Sequence, residues 1–291
     1  MSTAPEIETV EITEPGVYEG LPEAAYHADP VPAGSLSASG AKVLLPPGCP
    51  AMFLHRLTHP RISDSLDLGS AAHTLVLGTG WPIGVVDAED WRTKKAQTER
   101  KEIRDAGQIP LLRPQYDQVT AMADALLAHP IARVLLRPEG GLPEASLFWT
   151  DQRTGIMRRA RLDWLPRPSS GRLILVDYKT SVSADPARFG QFAADYGYHI
   201  QEAWYLDAAE ALELGDDPAL VFVVQEKTPP YLVSVVQLDA AATRIGRALG
   251  RKAIDIYQRC VESGEWPGYA DDVVLASLPP WYERQHEEDL R

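Results

Sequence analysis

Seven residues constrain this chain more than any others: Leu173-Ile174-Leu175-Val176-Asp177-Tyr178-Lys179. Four aliphatic residues in succession predict a strand buried on both faces, yet the run ends in an acid and an amine. Both charges are costly inside a protein unless they are paired or bound to an ion. The two-residue period of a strand sets Asp177 and Lys179 on the same face. A carboxylate and an ammonium therefore leave the end of a core strand together. That pairing suits phosphodiester hydrolysis: the carboxylate holds a divalent cation, and the lysine orients or helps deprotonate water and offsets phosphate charge.

The neighbouring pattern says what this strand belongs to. Glu144–Thr150 and Met157–Leu165 alternate as strands and are joined by a Gly-containing hairpin loop. A long amphipathic helix is predicted from Pro186 to Leu214. Strands follow at Ala219–Gln225 and Tyr231–Leu238 with Pro229-Pro230 as the turn, then a helix over Ala240–Ser263. Upstream, Ser37-Ala38-Ser39 offers caps for a short helix reaching Leu45, and further helices are predicted over Ala51–Leu57, Ser65–Leu77, Pro114–Leu127 and Pro130–Leu136. Trp91–Ala106 reads as a charged helix or loop. This order predicts an α/β fold, one domain with a central mixed sheet flanked by helices and an N-terminal helical portion. The expected limits are a disordered lead over 1–15, the domain over 16–265 and a tail over 266–291.

Composition narrows the class. No apolar run approaches the roughly 20 residues that span a bilayer, and the acidic N-terminus lacks a signal-peptide pattern, so a cytoplasmic protein is expected. Two cysteines, Cys49 and Cys260, exclude a four-cysteine iron–sulfur cluster held by one chain. A net charge of −13 argues against a protein that coats nucleic acid, but not against an enzyme needing only a local basic track. No P-loop, Gly-x-Ser-x-Gly elbow or His-Glu-x-x-His motif is present, and no nucleotide cofactor is expected.

More residues join the Asp177–Lys179 pair. Asp163 lies on the preceding strand and supplies a second carboxylate for a Mg²⁺ site, and Glu144 on the strand before it is a further acid. His73 lies in the small-residue helix segment Gly69-Ser70-Ala71-Ala72-His73; as a neutral ligand it would favour Mn²⁺. Tyr198, Gln201 and Tyr205 fall on one helix face and could grip a phosphate or position Lys179.

The ordered set His73, Glu144, Asp163, Asp177-Tyr178-Lys179 and Tyr198-His199-Ile200-Gln201 resembles the RecE-like (exonuclease VIII) branch of the PD-(D/E)XK nucleases, related to the RecB nuclease domain. The resemblance runs from about Ser37 to Val236 and implies a restriction-endonuclease-like core. It implies that His73, Asp163, Asp177 and the Tyr178 carbonyl ligate Mg²⁺ or Mn²⁺. Lys179 would be catalytic, with Glu144 and Gln201 supporting the site. It also implies 5′-to-3′ digestion of linear duplex DNA to leave 3′ single strands, a RecT-type annealing partner, a ring-shaped homo-oligomer and a phage or bacterial recombination setting. Leu162 stands where the class name expects Pro, and Asp177 where it allows Asp or Glu.

Plainer roles remain open to the same residues. Asp163 could pair with Arg159 or Arg161, Asp177–Lys179 could be a surface ion pair, and His73 a core histidine. Lys94, Lys95, Arg100 and Lys101 form the best local basic track for a DNA backbone, with Trp91 beside it, or else a solvated helix face. A same-fold endonuclease or repair nuclease, and a DNA-binding module without chemistry, are the competing functions.

Overall fold

A computed structural model describes residues 10–59, 64–167 and 171–287. Residues 1–9, most of the expected lead, lie outside the described residues, as do the last four of the expected tail. The elements in chain order begin with β1 (Gly16–Tyr18), α1 (Glu23–His27), β2 (Ser35–Ser37), α2 (Ala38–Leu44), α3 (Pro50–Thr58), α4 (Asp64–Leu77), β3 (Ile83–Val86), α5 (Lys94–Asp105) and β4 (Ile109–Leu112). They continue with α6 (Arg113–Ala128), α7 (Ala132–Leu135), β5 (Gly141–Thr150), β6 (Met157–Pro166), β7 (Ile174–Ser181), α8 (Pro186–Tyr196), α9 (Tyr198–Ala211), β8 (Ala219–Glu226), β9 (Val233–Val236), α10 (Ala240–Ser263) and α11 (Pro280–Gln285).

The central sheet runs β1-β5-β6-β7-β8-β9, with β2 paired to β6. β5, β6 and β7 are antiparallel, whereas β7 and β8 are parallel in register Asp177↔Phe222 and Lys179↔Val224. Parallel neighbours need a crossover, and α8 with α9 provides it. Leu175, Phe222 and Val224 face α9 and α10 on one side of the sheet. Val176, Tyr178 and Val223 face α4 and α6 on the other. The aliphatic run of β7 is therefore buried on both faces, as its composition requires.

The helix expected over Pro186–Leu214 is two helices. Gly197 sits between them in the left-handed conformation at φ 67°, which a residue without Cβ adopts freely. Strands β3 and β4 form a small parallel pair that the sequence reading did not identify. Described residues near both of the expected limits pack against the domain. Ile12, within the expected lead, is 1% exposed and its N–H donates to the Pro30 carbonyl. In the tail, Trp266 stacks on Phe53, and Tyr269 donates to the Pro47 carbonyl.

Candidate active site

The site begins with a distortion in two strands. Along β5, Leu142 and Ala145 both face α9 and α10; along β6, Leu162 and Leu165 do the same. Residues three apart on a regular strand point to opposite faces, so each strand kinks between them. Glu144 and Asp163 occupy the kinks. The ladder pairs Pro143↔Trp164 and Ala145↔Leu162 but omits the acids between, and Glu144 has φ 51°. A non-glycine residue held there costs on the order of 1–3 kcal/mol, a strain that concentrates at functional sites. The kinks set the two carboxylates side by side, and Arg161 Nε holds Glu144 Oε2 at 2.5 Å.

β7 brings the next pair. β6 and β7 are registered at Trp164↔Val176. One residue further on, the Asp163 side chain accepts the Tyr178 N–H at 2.7 Å. Asp177 is fully buried; its Oδ1 accepts from Gln201 Nε2 at 2.7 Å, and its Oδ2 meets Lys179 Nζ at 2.5 Å. That second oxygen has no regular hydrogen bond. The surface ion-pair reading of Asp177 and Lys179 therefore fails on burial. The plainer alternative, Asp163 paired with Arg159 or Arg161, fails as well, because Arg159 pairs with Asp29 and Arg161 with Glu144.

α4 supplies the opposite wall. His73 Nδ1 lies 3.7 Å from Asp163 Oδ2, and ligand atoms of His73, Glu144 and Asp163 all lie within 4.8 Å of one another. Gly69 leaves the helix close to Thr180 of β7, 3.6 Å from where a Cβ would stand, which lets α4 approach. Of these, His73, Glu144 and Gly69 line a cleft of about 480 Å³ whose walls also include Trp81, Thr180, Tyr196 and Tyr198; Asp163, Asp177 and Lys179 lie behind that lining.

The electrostatics follow from burial. Burial, then the charge of Asp177, holds the Asp163 carboxyl well above the usual carboxylate range. Burial also raises Glu144, against the pull of Arg161. His73 is pushed down to about 3, by burial first and then by the Lys179 charge, so its imidazole is neutral at working pH. For Lys179, burial acts downward, but the carboxylates of Asp177 and Asp163 outweigh it and hold the ammonium above its ordinary value. Carboxylates that repel one another beside a neutral imidazole are a donor set that a divalent cation would stabilise. The residues present fit such an ion.

The predicted helix face is present on α9 and serves the site from beneath. Gln201 Nε2 donates to Asp177 and to the Tyr205 hydroxyl at 3.0 Å, and that hydroxyl donates to the Arg161 carbonyl at 2.9 Å. Tyr205 is buried, so the expectation that it contacts DNA is corrected: its hydroxyl locks α9 to β6. Tyr198 lies in the cleft wall, with Lys179 Nζ 5.3 Å from its ring centre. The Tyr178 main chain is at the site, while its side chain points to the other face and donates to Gln225.

The basic track on α5 does not join this cluster. Lys95 pairs with Glu99, Lys101 with Asp105, and Arg100 and Arg104 with Asp67. Arg100 also covers the Trp91 ring at 4.7 Å. Two contacts that sequence reasoning did not foresee matter more. Arg161 restrains Glu144, and Lys42 reaches the Tyr198 ring from α2. Neither contact is legible from local spacing.

A family model described as "PDDEXK-like domain of unknown function (DUF3799)" matches residues 37–277. Among solved structures, one described as a "putative exonuclease" from Eubacterium rectale superposes with TM-score 0.60 at 12% identity, covering 92% of this chain and 98% of that one. Another, SSO0001, has TM-score 0.29 at 15% identity over 70% of this chain and 81% of its own. No curated protein matches the chain. Among the described residues, no helix is long and apolar enough to cross a membrane.

Proposed function

The chain belongs to the PDDEXK-like family DUF3799, and from that premise we propose that it is a metal-dependent exodeoxyribonuclease acting on the ends of linear duplex DNA. The observation that carries this reading is the approach of Asp163 to Asp177 and Lys179 from the adjacent strand, with His73 and Glu144 grouped about Asp163. A module that had lost its chemistry has no need to bury a carboxylate fully beside an ammonium. Magnesium or manganese, when bound, would supply Lewis acidity to the phosphodiester.

His73, Asp163 and Asp177, with the Tyr178 carbonyl, would hold the ion, and Glu144 would stand behind it. The chain's own contribution is orientation and charge. Gln201 fixes the Asp177 carboxylate through Oδ1, and Lys179 holds it through Oδ2. Lys179, held as an ammonium by the two carboxylates, positions water and offsets charge accumulating on the phosphoryl oxygens. The resemblance to RecE-like enzymes adds 5′-to-3′ polarity, 3′ single-stranded products, a RecT-type annealing partner, a ring oligomer and a cytoplasmic setting in a bacterium or its phage.

The decisive experiment incubates the purified chain with duplex DNA labelled at one 5′ or one 3′ end, and with closed circular duplex, in Mg²⁺, Mn²⁺ or chelator. Loss of linear DNA with the label released first from 5′ ends, circles spared and chelator inhibiting, is the expected result. Cutting of circles would make the chain an endonuclease of the same fold. Binding without cleavage in either metal would sink the enzymatic reading.

A further inference from the structure

Lys42 is placed with care that its sequence context does not explain. It lies on α2, which is started by Ser37, whose hydroxyl accepts the Gly40 N–H at 3.1 Å. Its side chain crosses the break between α8 and α9. A Cβ on Gly197 would stand 2.7 Å from Lys42 Cδ and 3.2 Å from Cγ, and Gly197 has φ 67°. The glycine therefore does two things: it breaks the helix, and it clears a path for the lysine stem. Lys42 Nζ then donates to the Tyr196 carbonyl at 3.3 Å and lies 6.0 Å from the Tyr198 ring centre. The same ring has Lys179 Nζ at 5.3 Å. Two amines thus share one aromatic ring at the edge of the cleft.

Like charges set together in partly desolvated surroundings repel. Burial, then the Lys179 charge, brings Lys42 down to about 8, against the pull of Asp177. The hydrogen bond Lys42 makes among the described residues is that single carbonyl contact, and an ammonium carries three donors. Such an arrangement is relieved by an anion placed between the amines. Tyr196 lines both the active-site cleft and a second cavity of about 820 Å³, whose walls include Lys42, Ser37, Ser39, Arg56, Arg159 and Asp195. Lys42 lines the second cavity and, through the Tyr196 carbonyl, reaches the residue that borders both.

We propose that Lys42 is a DNA-phosphate ligand, holding a phosphate of the strand next to the group that Lys179 faces as that strand passes Tyr196 out of the cleft. This inference rests on the nuclease reading. It assigns Lys42 to substrate binding, with Gly197 as the residue that lets it reach.

The test uses the full chain. Binding of labelled linear duplex is measured by fluorescence anisotropy in Ca²⁺ across a salt series, and single-turnover cleavage in Mg²⁺ at saturating DNA. Lys42→Met is expected to raise Kd about tenfold and lower the slope of log Kd against log salt by about one, the signature of one lost phosphate contact. Cleavage at saturation should change less than about threefold. Lys42→Arg should restore most of the binding, and Gly197→Ala should reproduce the Lys42→Met loss. Thermal melting identifies any variant that fails to fold, in which case the Lys42→Arg and Gly197→Ala arms decide. Wild-type affinity and salt slope in Lys42→Met would overturn the inference, as would lost cleavage with binding intact. Absence of metal-dependent cleavage by the wild-type chain would instead remove the nuclease reading, and this inference with it.

Discussion

The acids at the kink of β5 and β6 and the lysines of α5 are both clusters of charge, and both stand out in the sequence. They differ in what the fold does with them. On α5 the basic side chains meet acids of their own helix or of α4: Lys95 with Glu99, Lys101 with Asp105, Arg104 with Asp67. The two lysine pairs lie in water and contribute little, and the Arg104–Asp67 pair is half-buried but complete. At the kink and on the adjoining β7, Glu144, Asp163 and Asp177 are largely withdrawn from solvent, Asp163 is set against both other acids, and the half-buried Lys179 ammonium meets Asp177. Charge that a fold leaves solvated and self-paired is surface. Charge that it desolvates without complete pairing is poised for a ligand from outside.

The largest effect should come from breaking the buried cluster. Asp177→Ala or Lys179→Ala is expected to reduce cleavage of linear duplex by roughly 10³-fold or more, on the scale of losing a charge-stabilising group from an active site, with circular dichroism unchanged. Retained activity in either variant would move the chemistry elsewhere. His73→Ala should have the next effect. The metal concentration giving half-maximal cleavage should rise roughly 10- to 100-fold. Because the His73 pKa is pushed down to about 3, the wild-type metal requirement should show no histidine-like inflection between about pH 5 and 8; finding one would mean that this imidazole titrates in the folded chain.

A third charged region sharpens the comparison, because it is buried yet complete. Asp151, at the β5–β6 hairpin, accepts from Thr154 N, Thr154 Oγ1 and both Arg251 terminal nitrogens. Burial acts upward on its pKa, but the Arg251 and Thr154 hydrogen bonds prevail and bring it down to about 2. A carboxyl whose folded pKa lies below its unfolded value of about 3.9 stabilises fully above that value. Its contribution is lost as pH falls from about 4 toward 2. Asp151→Asn should lower stability at pH 7 by on the order of 1–2 kcal/mol, after allowing for solvent around Arg251. The gap should close near pH 2 in chemical denaturation, while nuclease activity per folded molecule stays at the wild-type level. A constant gap from pH 7 to 2 would show that the charge of Asp151 is not what stabilises the hairpin.

How far the sequence reveals all this depends on the range of the interactions. The period of β7 is local, so the shared face of Asp177 and Lys179 could be read from a few residues, and the Asp239 cap and Gly264 stop frame α10 at its predicted limits. The break at Gly197 was missed because helical periodicity continues on both sides of it, and what it makes room for is Lys42, whose acceptor is 154 residues away in the chain. β3 and β4 were missed because each has four residues and gains strand character only by pairing with the other. The kink at Glu144 and Asp163 leaves no local trace either. It is a property of two strands together, visible only as a change in which residues reach the core.

The smallest expected effect tests the other half of the comparison. α5 carries five basic and three acidic residues, and Asp67 of α4 takes two of its arginines. A phosphate approaching Lys95 or Lys101 must compete with a carboxylate already there, so few condensed counterions would be released from DNA on contact. Lys94→Gln, Lys95→Gln and Lys101→Gln combined should therefore change Kd for linear duplex by less than about threefold and the salt slope by less than about one. The single Lys42→Met substitution should exceed all three together. If the triple variant instead lost two or three units of slope, the ion pairs of α5 would be exchanging for phosphate contacts, and self-pairing would not be enough to mark a charged helix as mere surface.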